Sequence, residues 1–186
     1  SMQVQYSLLD ARPKNGLVDL CRANGMQLLC YGSVAGGFLS DAWLGKPEPR
    51  PPFANRSLTK YKLIIDDFGG WELFQRLLRT LRTIADRHAT DIATVASRAM
   101  LDRPQVAAVI VGARNGAHLA ANLRILDVTL TPADHADIAM ALGLVRQMLT
   151  GTEADFEPEL GHRPGKEALQ FQFGVGRRKR DGQTRQ

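Results

Sequence analysis

Apolar positions follow two different spacings along the first 111 residues of the chain. Short apolar runs predict three buried strands, at residues 2–9, 26–31 and 106–111. Helical spacing of apolar residues predicts helices from Leu17 to the Asn24-Gly25 stop, from Leu73 to Ala85 and over residues 91–102. A strand, a helix and a second strand within about 30 residues imply parallel pairing with a right-handed crossover. The pattern therefore predicts an α/β fold built on a parallel sheet.

Capping residues mark the starts of three helices. Thr90 is predicted to cap the helix over residues 91–102. Asn115 is predicted to cap the next helix, which carries Leu119, Asn122 and Leu123. Thr131-Pro132-Ala133-Asp134 resembles a capping box with proline in the first turn and opens a helix that runs to about Leu149.

Residues 35–70 are predicted to form a long loop, because the pair Gly36-Gly37 and four prolines interrupt them. A loop of this length in a compact domain is usually functional or mobile. Its aromatic residues Phe38, Trp43 and Phe53 either line a pocket or, more commonly, pack against each other locally.

The net charge of +5 is concentrated at the C-terminus. Residues 176–186 hold five of the basic side chains against Asp181, which leaves about +1 for the rest. A body that follows nucleic-acid phosphates is therefore not expected, and the basic end is predicted to be a solvated tail. We divide the chain into residues 1–149, one α/β unit, and a largely polar and basic tail, residues 150–186, in which 168–175 alternate as a short strand would.

Other sequence features exclude several classes of protein. No apolar run approaches the roughly 20 residues that a membrane helix requires, so no membrane partner is expected. Cys21 and Cys30 lie in apolar surroundings without metal-ligand spacing, which is typical of reduced core residues in a cytoplasmic protein. The four histidines form no metal-binding motif, and no metal site is predicted.

The segment after the second strand suits a planar, phosphorylated ligand. Ligands of parallel α/β sheets bind where the strands end, in the loops that follow them. Tyr31 ends the strand, and its ring can stack on a flat heterocycle, while Gly32 and Ser33 allow a backbone to approach a diphosphate. The alternative is a core tyrosine with a solvated hydroxyl.

The segment after the third strand suits an anion. Gly112-Ala113-Arg114-Asn115 leads into a helix N-terminus, where free amides and the helix dipole favour negative charge. The planar fork of Arg114 matches a phosphate. The alternative is an exposed arginine beside an ordinary cap.

Three segments carry a resemblance to the aldo-keto reductases. Gln3-Val4-Gln5-Tyr6-Ser7-Leu8-Leu9 resembles the sixth strand of their barrel. Leu29-Cys30-Tyr31-Gly32-Ser33-Val34-Ala35-Gly36-Gly37-Phe38-Leu39 resembles the seventh strand and its loop, and Val109-Ile110-Val111-Gly112-Ala113-Arg114-Asn115 the eighth. The resemblance covers about residues 2–149. It implies a partial (β/α)8 TIM barrel, roughly the last three βα units followed by a C-terminal tail.

The resemblance also implies roles in cofactor binding. Gln3 would hydrogen-bond the nicotinamide carboxamide, and Tyr31 would stack on the nicotinamide ring. The diphosphate would be lined by Gly32, Ser33 and Val34. The adenosine 2′-phosphate end would be held by Gly112, Ala113 and Arg114, and Asn122 would meet the adenine. Gly112 and Ala113 replace the lysine and serine of many members, which resembles a branch of the family that leaves phosphate recognition to the following arginine, here Arg114, so we expect NADP. NAD is the alternative, because His118 stands where an additional arginine is frequent.

The family's catalytic tetrad of aspartate, tyrosine, lysine and histidine lies in the first half of its barrel. No position of this chain matches it, so no catalytic residue is assigned. Tyrosines, lysines and a histidine of the right types stand in other contexts, namely Tyr6, Lys60, Tyr61, Lys62 and His88. We therefore expect the cofactor half of an oxidoreductase, inactive alone and acting on a small carbonyl substrate only when completed.

Alternatives remain a non-catalytic module that binds a nucleotide or a protein, and a truncated product without its own function. Three strands cannot close a barrel, and unpaired strand edges recruit partners. Self-association or a complementary N-terminal barrel segment is therefore expected, or cover of one edge by the 168–175 strand.

Overall fold

The computed structural model describes residues 1–113 and 116–150, in which short strands alternate with helices. The strands are β1 (Met2–Gln5), β2 (Leu28–Tyr31) and β3 (Val106–Ile110). The helices are α1 (Leu17–Ala23), α2 (Arg56–Phe68), α3 (Trp71–Arg87), α4 (Ile92–Leu101), α5 (Ala117–Asp127) and α6 (Pro132–Thr150). The predicted α/β class is confirmed.

The strands form one parallel sheet in the order β1-β2-β3. Gln5 pairs with Tyr31, and Tyr31 pairs with Ile110, so the carboxyl ends of all three strands lie along one edge. The register shifts between Leu28 and Leu29, where β2 meets β3. This edge is where parallel α/β sheets bind ligands.

The two faces of the sheet differ in burial, because successive side chains of a strand point to opposite sides. Leu28 and Cys30 are fully buried in the apolar core shared with α3 and α4. On the opposite face Leu29 and Tyr31 are only partly buried, and Gln3, which pairs with Leu29, is exposed. The described helices therefore cover one face more completely than the other.

Helix α3 contributes much of the core. Its apolar residues recur at helical spacing and are buried, as the sequence predicted: Leu73, Phe74, Leu77, Leu78, Leu81, Ile84 and Ala85.

Helix α6 also begins as predicted. The Thr131 Oγ1 accepts the Asp134 N–H at 3.2 Å, and the Asp134 Oδ2 accepts the Thr131 N–H at 2.8 Å, which is a reciprocal capping box.

The prediction that residues 35–70 form a continuous loop was wrong. Residues 56–68 form α2, whose N-terminus is capped by the Asn55 side chain accepting the Leu58 N–H at 3.0 Å. Tyr61, Ile65 and Phe68 are buried at helical spacing. Charged residues between them and the preceding prolines concealed this short apolar stripe.

The aromatic residues before α2 pack locally. Phe38 is fully buried, with its ring centroid 4.7 Å from that of Trp43. Trp71 and Phe74 of α3 complete the cluster, and the Trp71 indole N–H donates to the Lys46 carbonyl at 2.9 Å. The local-packing alternative holds for Phe38 and Trp43, whereas Phe53 is partly exposed.

The predicted cap of α4 was also wrong. Asp91 caps the helix, because its Oδ1 accepts the Thr94 N–H at 2.8 Å. The Thr90 Oγ1 is buried without a hydrogen-bond partner in the described part of the chain.

The first strand is shorter than the predicted 2–9, because a turn follows Gln5. In this turn the Ser7 Oγ accepts the Asp10 N–H at 3.1 Å.

Several sequence predictions concern residues outside the described ranges. These are Arg114, the Asn115 cap and the whole of 151–186, including the strand over 168–175. The N-cap position of α5 is Gly116.

Cys21 and Cys30 are free, buried thiols, as expected. Among the described helices none is long and apolar enough to span a bilayer, and the described residues contain no cluster of potential metal ligands.

Candidate functional site

The sheet brings the two predicted nicotinamide contacts, Gln3 and Tyr31, to the same face near its carboxyl edge. Gln3 pairs with Leu29, and Tyr31 follows Leu29 by two residues, so all three side chains share the less covered face. Gln3 is exposed and Tyr31 is partly exposed. The geometry therefore leaves both side chains accessible to one ligand.

Helix α2 lies over the loop that follows Tyr31. Tyr61 packs against Gly32 and Gly36, and a Cβ at Gly36 would lie 2.6 Å from the Tyr61 Cδ2. Both glycines have positive φ, 75° at Gly32 and 64° at Gly36, where other residues are strained. Both glycines thus have a packing role, and Gly32 is in addition a predicted diphosphate contact.

Ser33 and Val34 contribute backbone groups on the other side of this loop. The Ser33 side chain is buried, with its Oγ 3.3 Å from the Ser97 Oγ of α4, so it does not point outward. Among the described residues, no hydrogen bond is donated by the Ser33 or Val34 backbone N–H. Successive backbone N–H groups that make no hydrogen bond within the protein can bind an anionic ligand.

The turn after β1 contains a charged cluster that the sequence did not reveal. Asp10 is buried, and its carboxylate accepts the Gln5 Nε2 at 2.7 Å and the Arg12 Nε at 2.8 Å. Burial raises the pKa of Asp10, but hydrogen bonds from Arg12 and Gln5 outweigh it and hold the pKa below its ordinary value. The only signal was an Asp-x-Arg sequence immediately after a strand.

The loop after β3 is anchored by Asn122. Its Nδ2 donates to the Gly112 carbonyl at 3.2 Å, which ties α5 back to the strand end. Gly112, Ala113 and His118 are exposed. The predicted adenine contact therefore lies beside the predicted phosphate loop, with one of its two side-chain amide N–H groups already used within the protein.

A model of the Aldo/keto reductase family matches residues 1–142. The chain belongs to this family. Among curated proteins it is 35% identical over 104 residues to flagellar radial spoke protein 5 of Chlamydomonas reinhardtii, covering 54% of this chain and 20% of that protein.

Solved structures show the aldo-keto reductase fold. The glycerol dehydrogenase AKR11B4 from Gluconobacter oxydans superposes with a TM-score of 0.62 at 16% identity, covering 82% of this chain and 44% of that one. The thermostable aldo-keto reductase Tm1743, solved with the inhibitor epalrestat, gives 0.51 at 22% identity, covering 75% and 38%. The chain thus spans less than half the length of these two structures.

Within this aldo-keto reductase fold, three residues outside the predicted site, Tyr6, Lys62 and His88, have structural partners. The Lys62 Nζ lies 2.7 Å from the Glu48 Oε1 and also contacts Asp66. The Arg103 guanidinium lies 5.7 Å from the Tyr6 ring centroid, and the His88 Nε2 lies 2.7 Å from the Asp134 Oδ2. These contacts account for Tyr6, Lys62 and His88 as structural residues.

Lys60 and Tyr61 lie closer to the predicted cofactor contacts. The Lys60 Nζ lies 5.4 Å from the Tyr31 ring centroid and 5.0 Å from that of Tyr61. Burial raises the pKa of the Tyr61 phenol, and the neighbouring Tyr31 and Asp10 raise it further. A proton-donating tyrosine needs the opposite shift, toward the working pH.

Proposed function

We propose that residues 1–142 form the cofactor-binding part of an NADP-dependent aldo-keto reductase-type oxidoreductase. The observation that carries the proposal is the shared edge of the sheet, where Gln3 and Tyr31 face one side and the Gly112 loop follows the neighbouring strand. The free backbone N–H groups of Ser33 and Val34 fit the diphosphate of such a cofactor.

In this proposal each residue binds or orients part of the dinucleotide. Gln3 holds the carboxamide and Tyr31 supports the ring, while Gly32, Ser33 and Val34 meet the diphosphate. Gly112, Ala113 and Arg114 take the 2′-phosphate, and Asn122 takes the adenine; NAD is the alternative cofactor. The bound nicotinamide supplies or accepts the hydride.

We further propose that residues 1–142 do not catalyse carbonyl reduction on their own. A complementary barrel segment or a second copy of this chain would complete the site. The raised pKa of Tyr61 and the pairing of Lys62 and His88 with carboxylates support this. The test is NADPH oxidation by the isolated chain with a generic aldehyde. We expect no rate above buffer, and turnover abolished by Tyr61→Phe would contradict the proposal.

A second candidate is a non-catalytic binding module. Its support is the 35% identity over 104 residues to a protein named for the flagellar radial spoke. The two candidates differ in one observable, because a protein-binding module needs no dinucleotide. A folded chain that binds neither NADPH nor NADH would favour the second candidate.

A further inference from the structure

The ammonium group of Lys60 lies between two aromatic rings at the edge of the candidate site. Its Nζ is 5.4 Å from the Tyr31 ring centroid and 5.0 Å from the Tyr61 ring centroid. No carboxylate within residues 1–113 and 116–150 forms an ion pair with it, although the adjacent Lys62 contacts both Glu48 and Asp66. Lys60 therefore places an unpaired positive charge close to the Tyr31 ring.

The fold fixes the position of this charge through α2. Tyr61, the next residue, is buried against Gly32 and Gly36, and the salt bridges of Lys62 hold the same helical turn to residue 48. The other cation near Tyr31 is Arg12, which is held by the Asp10 carboxylate through its Nε at 2.8 Å. Asp67 also lies within electrostatic range of Arg12. Among the described residues, Arg12 is thus paired with a carboxylate and Lys60 is not.

The oxidised and reduced forms of a nicotinamide cofactor differ in charge at the ring. The oxidised ring is a pyridinium cation and the reduced ring is neutral, whereas the phosphates and adenine are the same in both. A nearby ammonium attracts the phosphates of both forms equally but repels only the oxidised ring. The ratio of the two dissociation constants therefore isolates what a cation does at the ring.

We propose that Lys60 makes this site discriminate between the redox forms of its dinucleotide, by weakening the binding of the oxidised form relative to the reduced form. The inference rests on the proposed function, because it requires the nicotinamide to lie on Tyr31. Lys60 acts here as a specificity-determining residue through its charge. It does not take part in hydride transfer.

The experiment is isothermal titration of the full chain with NADPH and with NADP⁺ at low ionic strength, for the parent and three variants. In Lys60→Gln the ratio of the NADP⁺ to the NADPH dissociation constant should fall by about three- to tenfold, as expected for a unit charge removed near the ring. Lys60→Arg should retain the parent ratio. Arg79→Gln removes an equal charge from an exposed site without an ion pair among the described residues and should also retain it.

The outcomes separate the inference from the proposed function. If both forms bind and Lys60→Gln leaves the ratio unchanged, the inference is overturned and the cofactor site stands. If Arg79→Gln lowers the ratio as much as Lys60→Gln, the effect belongs to overall charge and the inference is again overturned. If neither form binds the parent chain, the proposed function fails and the inference falls with it. Circular dichroism of each variant confirms that the fold is retained.

Discussion

The ring of Tyr61 packs directly on the backbone of Gly36, so that a Cβ at that position would lie 2.6 Å from the Tyr61 Cδ2. This contact joins α2 to the loop that follows β2, two segments separated by a proline-rich stretch of sequence. It also fixes where Lys60 stands relative to Tyr31. The arrangement of the candidate site therefore depends on Gly36, which is not one of the predicted cofactor contacts.

Gly36→Ala should destabilise the chain, because the new methyl group clashes with Tyr61 and the positive φ of 64° strains a residue with a Cβ. We expect a loss of about 2–4 kcal/mol in the free energy of unfolding, measured by urea denaturation. Gly37→Ala is the matched control: its φ is 101°, but nothing lies within 4 Å of the new Cβ. Equal losses for both variants would mean that strain acts alone and that the Tyr61 contact is not tight.

The correction at the start of α4 leads to a second prediction. Asp91→Ala should lower the free energy of unfolding by about 1 kcal/mol, since it removes the acceptor of the Thr94 N–H. Thr90→Val should be neutral or slightly stabilising, because the buried Thr90 Oγ1 has no partner among the described residues. Thermal denaturation of both variants tests the assignment. A greater loss for Thr90→Val than for Asp91→Ala would restore Thr90 as the cap.

Asp134 should make the stability of the chain depend on pH. Its carboxylate is buried, lies 2.7 Å from the His88 Nε2 and the Arg87 Nη1, and accepts the Thr131 N–H. Burial raises the pKa of Asp134, but hydrogen bonds from His88 and Thr131 outweigh it, so the pKa is lowered. A lowered folded-state pKa contributes stability that is complete above the unfolded pKa of about 3.9 and is lost as the pH falls through the folded value.

Asp134→Asn should therefore reduce the free energy of unfolding by about 2–3 kcal/mol at pH 7 and reduce the loss of stability below about pH 4. Asp137→Asn, which removes the exposed partner of Arg87, should cost less than about 1 kcal/mol. Urea denaturation between pH 3 and pH 7 measures both. An Asp134→Asn curve parallel to that of the parent across this range would show that Asp134 does not carry the dependence.

Local signals predicted the elements whose stability is determined within a few residues of sequence. The Thr131–Asp134 capping box is one example, because both hydrogen bonds join residues three apart. The apolar stripe of α3 is another, since its spacing recurs along a single helix of seventeen residues. The strand-end position of Tyr31 followed from the same kind of pattern.

Contacts between distant segments could not be predicted. The placement of Lys60 on Tyr31 depends on how α2 docks, and α2 itself was missed because its apolar stripe is short and follows four prolines. The carboxylate of Asp10 meets Gln5 only because the chain turns sharply after β1. Periodicity in the sequence carries no information about such docking.

The most direct test of the cofactor proposal is titration of the full chain with NADPH, followed by nicotinamide fluorescence. We predict saturable binding with a dissociation constant below about 1 mM. Tyr31→Leu should weaken it about tenfold or more by removing the stacking ring, while Arg79→Gln should leave it unchanged. Absence of saturation in the parent chain, or equal binding by Tyr31→Leu, would contradict the assignment of this edge of the sheet as a dinucleotide site.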